Sequence, residues 1–442
     1  MNAAEDRSLR ARLAGSPFQG YAYAYPHKTA YRPLRPPTTW RDAWADEDAS
    51  SLFLYVHVPY CTVRCGLCNL FATRGPSEHA TEIYLASQRR QMDVVAAALG
   101  PNARFSRMAL GGGTPTFLSA TQLHVLMGEL DDRFGVSAGT VPCSVETSPE
   151  TASDDRLAVL EAAGVSRLSI GVQAFDEESC RAMGRPHLPN SAHDALQRIR
   201  RHHFDTLNID LIYGADGQSG EAFEASIKAA LRYEPEEVYL YPLYVRQLTG
   251  LGRRDWRPDD ARVALYRRGR DLLRAVGYRQ VSMRMFSRSP LGERSSLDYC
   301  CQRDGMVGLG PGARSYTSSL HYSTEYAVGQ TIVRSIIEDY AERGEEQHAR
   351  QPISRPMFHQ RCCFVRCAAT MRGVWPGLWS STARTCSCGS TGSRRPAARS
   401  SQRSAKRRRD EGASRGARTM GRSAFGLHAR LCCAAAAMGS TA

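Results

Sequence analysis

Lysine is nearly missing from this chain: Lys28, Lys228 and Lys406 are the only three in 442 residues, so arginine carries almost all of the positive charge. That bias fits a GC-rich source. No uninterrupted apolar run reaches membrane-spanning length, which excludes a transmembrane helix from the expectation. The first residues, MNAAEDRSLRARLAG, carry acids and no apolar stretch, so no secretory signal is expected and the cytoplasm is. There thiols stay reduced, and grouped cysteines point to metal or catalysis before disulfides. Neither GGGTPT (111–116) nor GLGPG (308–312) is followed by Gly-Lys-Ser/Thr, which excludes a Walker loop, and G-x-G-x-x-G spacing is absent, which argues against a dinucleotide fold.

Acidic residues are scarce only at the C-terminal end. Residues 351–442 hold 17 of the 58 Lys+Arg but two acids, Asp410 and Glu411. The first 350 residues then hold 41 basic and 42 acidic residues, so the formal charge of +14 belongs to the tail. The tail has half of the 14 cysteines, no tyrosine, a single isoleucine (Ile353) and no sustained period. Two accounts fit it: a disordered basic arm for RNA or anionic surfaces, or out-of-frame translation of a GC-rich gene. With a near-neutral body, nucleic acid is not the expected partner.

Residues 1–50 form a Tyr- and Pro-rich lead-in without a clear period. Beyond it, apolar β-like runs alternate with amphipathic helical patterns. The strands are LFLYVHVPY, FSRMALGGGTPT, VPCSVETSP, VSRLSIGVQAF, TLNIDLIYG and EEVYLYPLYV. A helix follows each, the third closed by Gly164. Six such repeats argue for parallel βαβ units, either as an open sheet or as an incomplete (β/α) barrel. In both, chemistry belongs at the C-terminal strand ends. Those ends hold Cys61 to Cys68, Gly111 to Thr114, Glu146, Gln173, Asp210 and Tyr244.

Cys61, Cys65 and Cys68 follow the first strand in a C-x3-C-x2-C pattern. Three thiolates can cap three irons of a [4Fe–4S] cube and leave the fourth for a small molecule, whereas ferredoxin-type clusters recruit a fourth cysteine. A structural zinc would need a fourth ligand, for which His57 and His79 are candidates. A disulfide and coincidental buried cysteines are the remaining readings.

The stretch YVHVPYCTVRCGLC resembles the signature of radical S-adenosylmethionine (SAM) enzymes, specifically the oxygen-independent coproporphyrinogen III oxidase group and its haem-chaperone relatives. GGGTPT, SVETSPE, RLSIGVQAF, GRPH and NIDLIYG follow in the family's order, from about residue 50 to about residue 330. The resemblance implies an α/β fold, an incomplete (β/α)6-type radical SAM barrel, with a core at 51–285 and an extension of that core at 286–350. The N-terminal extension at 1–50 and the irregular, disordered low-complexity tail at 351–442 are expected from composition. The resemblance also implies a cluster on Cys61, Cys65 and Cys68, and SAM on its fourth iron, cleaved by one electron to a 5′-deoxyadenosyl radical that abstracts a substrate hydrogen. Tyr55, Gly112 and Glu146 would contact this SAM. Gln173, Arg185 and Asp210 match positions for a further SAM, and Leu67, Gly113, Thr114 and Tyr244 align with more binding positions. A small-molecule substrate, an electron donor such as flavodoxin or ferredoxin, and a monomer are the implied partners and state.

Two departures narrow the reading. The oxidases usually carry a further cysteine two positions after the third, where this chain has Leu70. The chaperones carry H-N-x-x-Y-W, where this chain has SSLDYCCQRDGMVGLGPGARSY and only Tyr299 fits, with Cys300 and Cys301 beside it. A radical SAM enzyme of unassigned substrate, a haem chaperone, and an RNA-binding protein with a structural metal are the three expectations that follow.

Overall fold

The computed structural model describes residues 38–185, 191–245, 249–253, 261–288, 305–323, 327, 329–344, 350–351 and 353–356. The lead-in through residue 37, the Pro186–His187 part of GRPH, Tyr299, Cys300, Cys301 and the tail beyond 356 lie outside them.

All six expected strands form: β1 (Leu52–Val58), β2 (Phe105–Gly112), β3 (Cys143–Thr147), β4 (Arg167–Gln173), β5 (Thr206–Tyr213) and β6 (Glu237–Pro242). They lie side by side in chain order, each parallel to the next. A doubly wound sheet reverses its strand order at a switch point; this one never does, which is the winding of a (β/α) barrel. The barrel is open. β6 pairs on its free side with β7 (Met285–Ser287), antiparallel, and β1 pairs with β8 (Met306–Leu309), parallel. From β8 the sheet runs on through β9 (Arg314–Tyr316), β10 (Leu320–Ser323) and β11 (Ile353–Pro356), and with the two-residue edge strand Arg279–Gln280 beside β7 it has twelve strands among the described residues.

The helices are α1 (Glu78–Leu99), α2 (Ala120–Phe134), α3 (Asp154–Ala162), α4 (Glu177–Ala182), α5 (Ser191–Ile199), α6 (Gly220–Leu231), α7 (Ala261–Ala275) and α8 (Gln330–Glu342). Their starts are written locally. Ser77, Ser119, Asp176 and Ser219 each accept an N–H of the first turn, and Ser119 shares a capping box with Gln122. Each such cap contributes about 1 kcal/mol. Among the described residues no helix is long and apolar enough to cross a membrane.

β1 is buried along its whole length, as expected of a parallel strand covered on both faces. Alternation then sorts the two faces. Tyr213 packs against Phe223 of α6 and Tyr266 of α7, so β5's odd-numbered residues face the helices. The register Tyr55↔Ala109↔Ser144↔Arg167 and Ser169↔Asn208↔Glu237 carries this parity across the sheet. The opposite, inner face therefore collects Tyr55, His57, Glu146, Arg167, Ser169, Gln173, Asn208, Asp210, Glu237 and Tyr239. Its polar character is what the long apolar strand runs conceal.

Two segments exceed the sequence reading. In the lead-in, a short helix Trp40–Trp44 is closed by a Thr39–Asp42 capping box, and the Trp44 indole donates to Tyr322 Oη at 2.6 Å. Helix α8 lies on α1, where Gln91 Oε1 accepts both Tyr340 Oη and the Gly310 amide, each at 2.8 Å. GLGPG is thereby the turn from β8 to β9, anchored to α1.

Candidate functional site: a cysteine loop over the strand ends

The cysteine loop leaves β1 and is closed at its base. Tyr60–Cys61 pairs with Thr73–Arg74, and the Thr73 amide reaches Pro59 O at 2.8 Å. Its middle is pinned by backbone alone. Gly66 N–H donates to Gly184 O at 2.9 Å, and Leu251 N–H donates to Gly66 O at 3.0 Å. A Cβ on Gly66 would lie 3.2 Å from Gly184 Cα, and one on Gly250 3.1 Å from Gly66 Cα, so the three chains meet where side chains are missing. Next to Gly66, Leu67 is buried with Ala174, Met183, Ile212, Tyr239 and Leu251, an apolar plug that seats the loop on the strands' C-terminal end.

Cys61, Cys65 and Cys68 are all free and half-buried. Thr114 Oγ1 donates to Cys61 Sγ and Arg185 Nη1 to Cys65 Sγ, each at 3.4 Å. The Leu70 amide favours the Cys68 thiolate by bonding to it. Burial pushes the Cys61 thiol up to about 12, with the neighbouring Cys68 charge next in effect; burial and Cys65 raise Cys68 likewise. Thiols so placed release their protons when cationic metal enters. Among the described residues no three His, Cys, Asp or Glu groups are disposed to hold a single metal ion. The two histidines considered for zinc are engaged elsewhere: His57 with Tyr55 and Phe71, and His79 on an outward turn of α1 near Glu82. Three thiols on one short loop are a donor set that suits a cube, which takes each thiolate on a different iron.

The glycine segment after β2 is clamped to the same loop. Gly113 N–H donates to Val58 O at 2.7 Å and Thr114 N–H to Tyr60 O at 2.8 Å. Gly112 has φ +115° and donates its amide to Glu146 Oε2 at 3.2 Å; a Cβ there would strike the His57 ring at 2.8 Å. Thus Gly112, Gly113, Thr114, Glu146 and Cys61 are brought together.

Tyr55 is buried, and its hydroxyl lies 3.2 Å from His57 Nδ1. The Phe71 carbonyl, 2.9 Å from His57 Nε2, can only accept, so Nε2 carries the proton and Nδ1 accepts from Tyr55. Burial lowers His57 to about 4 from 6.5. The unfolded chain binds this proton more readily than the folded one. The stability held by neutral His57 is therefore present above about pH 6.5 and lost as pH falls toward 4, on the order of 3 kcal/mol when complete. Urea midpoints across that window are expected to fall with pH in the wild type and more shallowly in His57→Gln; equal slopes would refute the assignment.

Gln173 ends β4 with φ +73°, one of two described non-glycine residues in that region, beside a register shift at Gly171. Such backbone costs of order 1–3 kcal/mol and concentrates at functional sites. Asp210 differs from the expectation. It is not at a strand end but inside β5, 2% exposed, accepting from Asn208 Nδ2 at 2.6 Å and from Ser169 Oγ at 3.5 Å. The strand runs on to Tyr213 because Leu211 and Ile212 continue the pleat. Tyr244 is half-buried, two residues past β6. Arg185 is held by Cys65 and by Glu150. Sequence reasoning gave no role to Glu150, although SVETSPE contains it, nor to the glycines 66, 184 and 250, Ser169, Asn208 or the Arg167–Glu237 pair.

Residues 55–230 match the radical SAM superfamily. The haem chaperone HemW of Escherichia coli is 31% identical over 267 residues, covering 59% of this chain and 69% of the relative. The chain belongs to the radical SAM superfamily. Within it, it belongs with the oxygen-independent coproporphyrinogen III oxidases and haem chaperones. The oxidase of Paracoccus denitrificans is 29% identical over 271 residues, and the match spans 60% of each chain. Among solved structures, coproporphyrinogen III oxidase (HemN) from Escherichia coli, a radical SAM enzyme, superposes with a TM-score of 0.66 at 22% identity, covering 80% of this chain and 86% of that one, a likeness of fold. The superfamily's cofactors are a [4Fe–4S] cluster and SAM, and the three free thiols and the clamped glycine segment fit that pair.

Proposed function

We propose that this chain is a radical SAM enzyme that abstracts hydrogen from an organic substrate and resembles the coproporphyrinogen oxidases in architecture but not in target. Cys61, Cys65 and Cys68 hold the cluster. Gly112, Gly113, Thr114 and Glu146 line the SAM side, Tyr55 backs it, and Gln173, Asp210, Tyr244 and Leu67 border the inner face. When bound, cluster and SAM supply one-electron cleavage of the sulfonium and a hydrogen-abstracting radical. The protein's own part is positional: the pinned loop fixes the sulfurs, Gly112 admits a ligand where a side chain would block it, and the Glu146 carboxylate offers a counter-charge to a cationic ligand. The observation that carries the reading is the bond of Thr114 to Cys61 together with that of Gly112 to Glu146, which joins cluster loop and glycine segment into one site.

Leu70, where the oxidases usually carry cysteine, and the likeness to HemW favour a second reading, a haem chaperone with cluster and SAM but little chemistry. Anaerobic reconstitution with iron and sulfide, then reduction with SAM, separates the two. The enzyme reading expects 5′-deoxyadenosine and weak haem binding. Tight stoichiometric haem binding without 5′-deoxyadenosine would overturn it in favour of the chaperone.

A further inference from the structure

The three cysteine sulfurs are not equivalent. Cys61 meets a neutral hydroxyl, Cys68 the Leu70 amide and the side chain of Arg64 from its own loop, and Cys65 the guanidinium of Arg185, brought in from 120 positions away. The Arg185 side chain is 10% exposed, with Nη1 3.4 Å from Cys65 Sγ and Nη2 3.3 Å from Glu150 Oε1; Glu150 is 16% exposed. The arrangement is fixed through backbone. Arg185 N–H donates to Cys180 O at 2.9 Å at the end of α4, and the preceding residue, Gly184, receives the Gly66 amide. The residue next to Cys65 and the residue next to Arg185 are thus bonded to each other, which ties the cysteine loop to the backbone that carries the guanidinium.

We infer that Arg185, balanced by Glu150, sets the reduction potential of the cluster on Cys61, Cys65 and Cys68; this rests on the cluster assignment proposed above. Reduction adds one electron, taken from a low-potential one-electron donor, with no bond formed or broken at Arg185. A cation bonded to a ligand sulfur favours the added negative charge, and hydrogen bonds to cluster sulfurs are among the determinants of potential. Glu150 opposes this while orienting the guanidinium. Arg185 acts through the Cys65 sulfur and is a positioning residue; the sign of the effect separates charge from mere structure.

The test is a mediated reductive titration of the reconstituted full chain, followed by electron paramagnetic resonance, with iron counted per chain. In Arg185→Gln the ratio of reduced to oxidised cluster at fixed ambient potential is expected to fall at least tenfold, about 59 mV downward for one electron. Glu150→Gln is expected to shift upward, and Arg185→Lys, which keeps the charge, to stay within about threefold of wild type. Arg185→Gln and Glu150→Gln both holding wild-type iron and titrating at the wild-type potential would overturn the inference and leave the cluster intact. A lysine variant that shifts as far as glutamine would overturn the charge origin. Failure of the wild type to take up iron would instead sink the cluster assignment itself.

Discussion

Cys65→Ala is expected to abolish the cluster. A cube held by three thiolates has no spare protein ligand, so removing one leaves an iron without its anchor on the loop. Iron is expected to fall from about four per chain to background, with loss of the charge-transfer shoulder near about 400 nm. Formation of 5′-deoxyadenosine should vanish with it. Cys143→Ala is the matched control: Cys143 is fully buried on the helix side of β3, and its loss should cost stability but leave iron unchanged. Retained iron in Cys65→Ala would refute the ligand set.

Glu237→Ala is expected to destabilise the fold by about 3–5 kcal/mol. Glu237 is fully buried on the inner face of β6 and receives Arg167 Nε at 3.0 Å, from two strands away, across Asn208 of β5. Arg167 also bonds Ser144 Oγ at 2.9 Å and lies 5.7 Å over the Tyr239 ring. Removing the carboxylate leaves a guanidinium, 11% exposed, without the carboxylate it is bonded to. Replacing both partners by apolar residues of similar volume, Arg167→Met with Glu237→Leu, is expected to recover most of the loss, since a buried pair earns little over good packing. Urea unfolding of the single and double variants measures this. A loss under about 1 kcal/mol for Glu237→Ala would show that the pair does not brace the barrel.

Much of the frame was legible in the chain. The six strands and their helices follow from periods of two and 3.6, which are local, and the caps at Ser77, Ser119 and Ser219 confirm how local the helix starts are. The C-x3-C-x2-C spacing named its chemistry because three thiols within eight residues share one loop whatever the rest of the fold does. The added strands β8 to β10 and helix α8 were not legible: Met306–Leu309 is four residues long, and it becomes a strand through pairing with β1, some 250 residues earlier.

What only the tertiary structure decided is which distant groups meet. Asp210 read as a strand-end residue, yet the register places it mid-strand against Asn208 and Ser169. Arg185 meets Cys65 across 120 positions, and Arg167 meets Glu237 across 70. Gly66, Gly184 and Gly250 read as ordinary loop glycines until their backbones touch. The sequence determined the reactive loop and the strand–helix rhythm, because both depend on neighbours in the chain. The charge on Cys65, the polar inner face and the seating of the loop depend on strand order and pleat parity, which arise only when the sheet assembles.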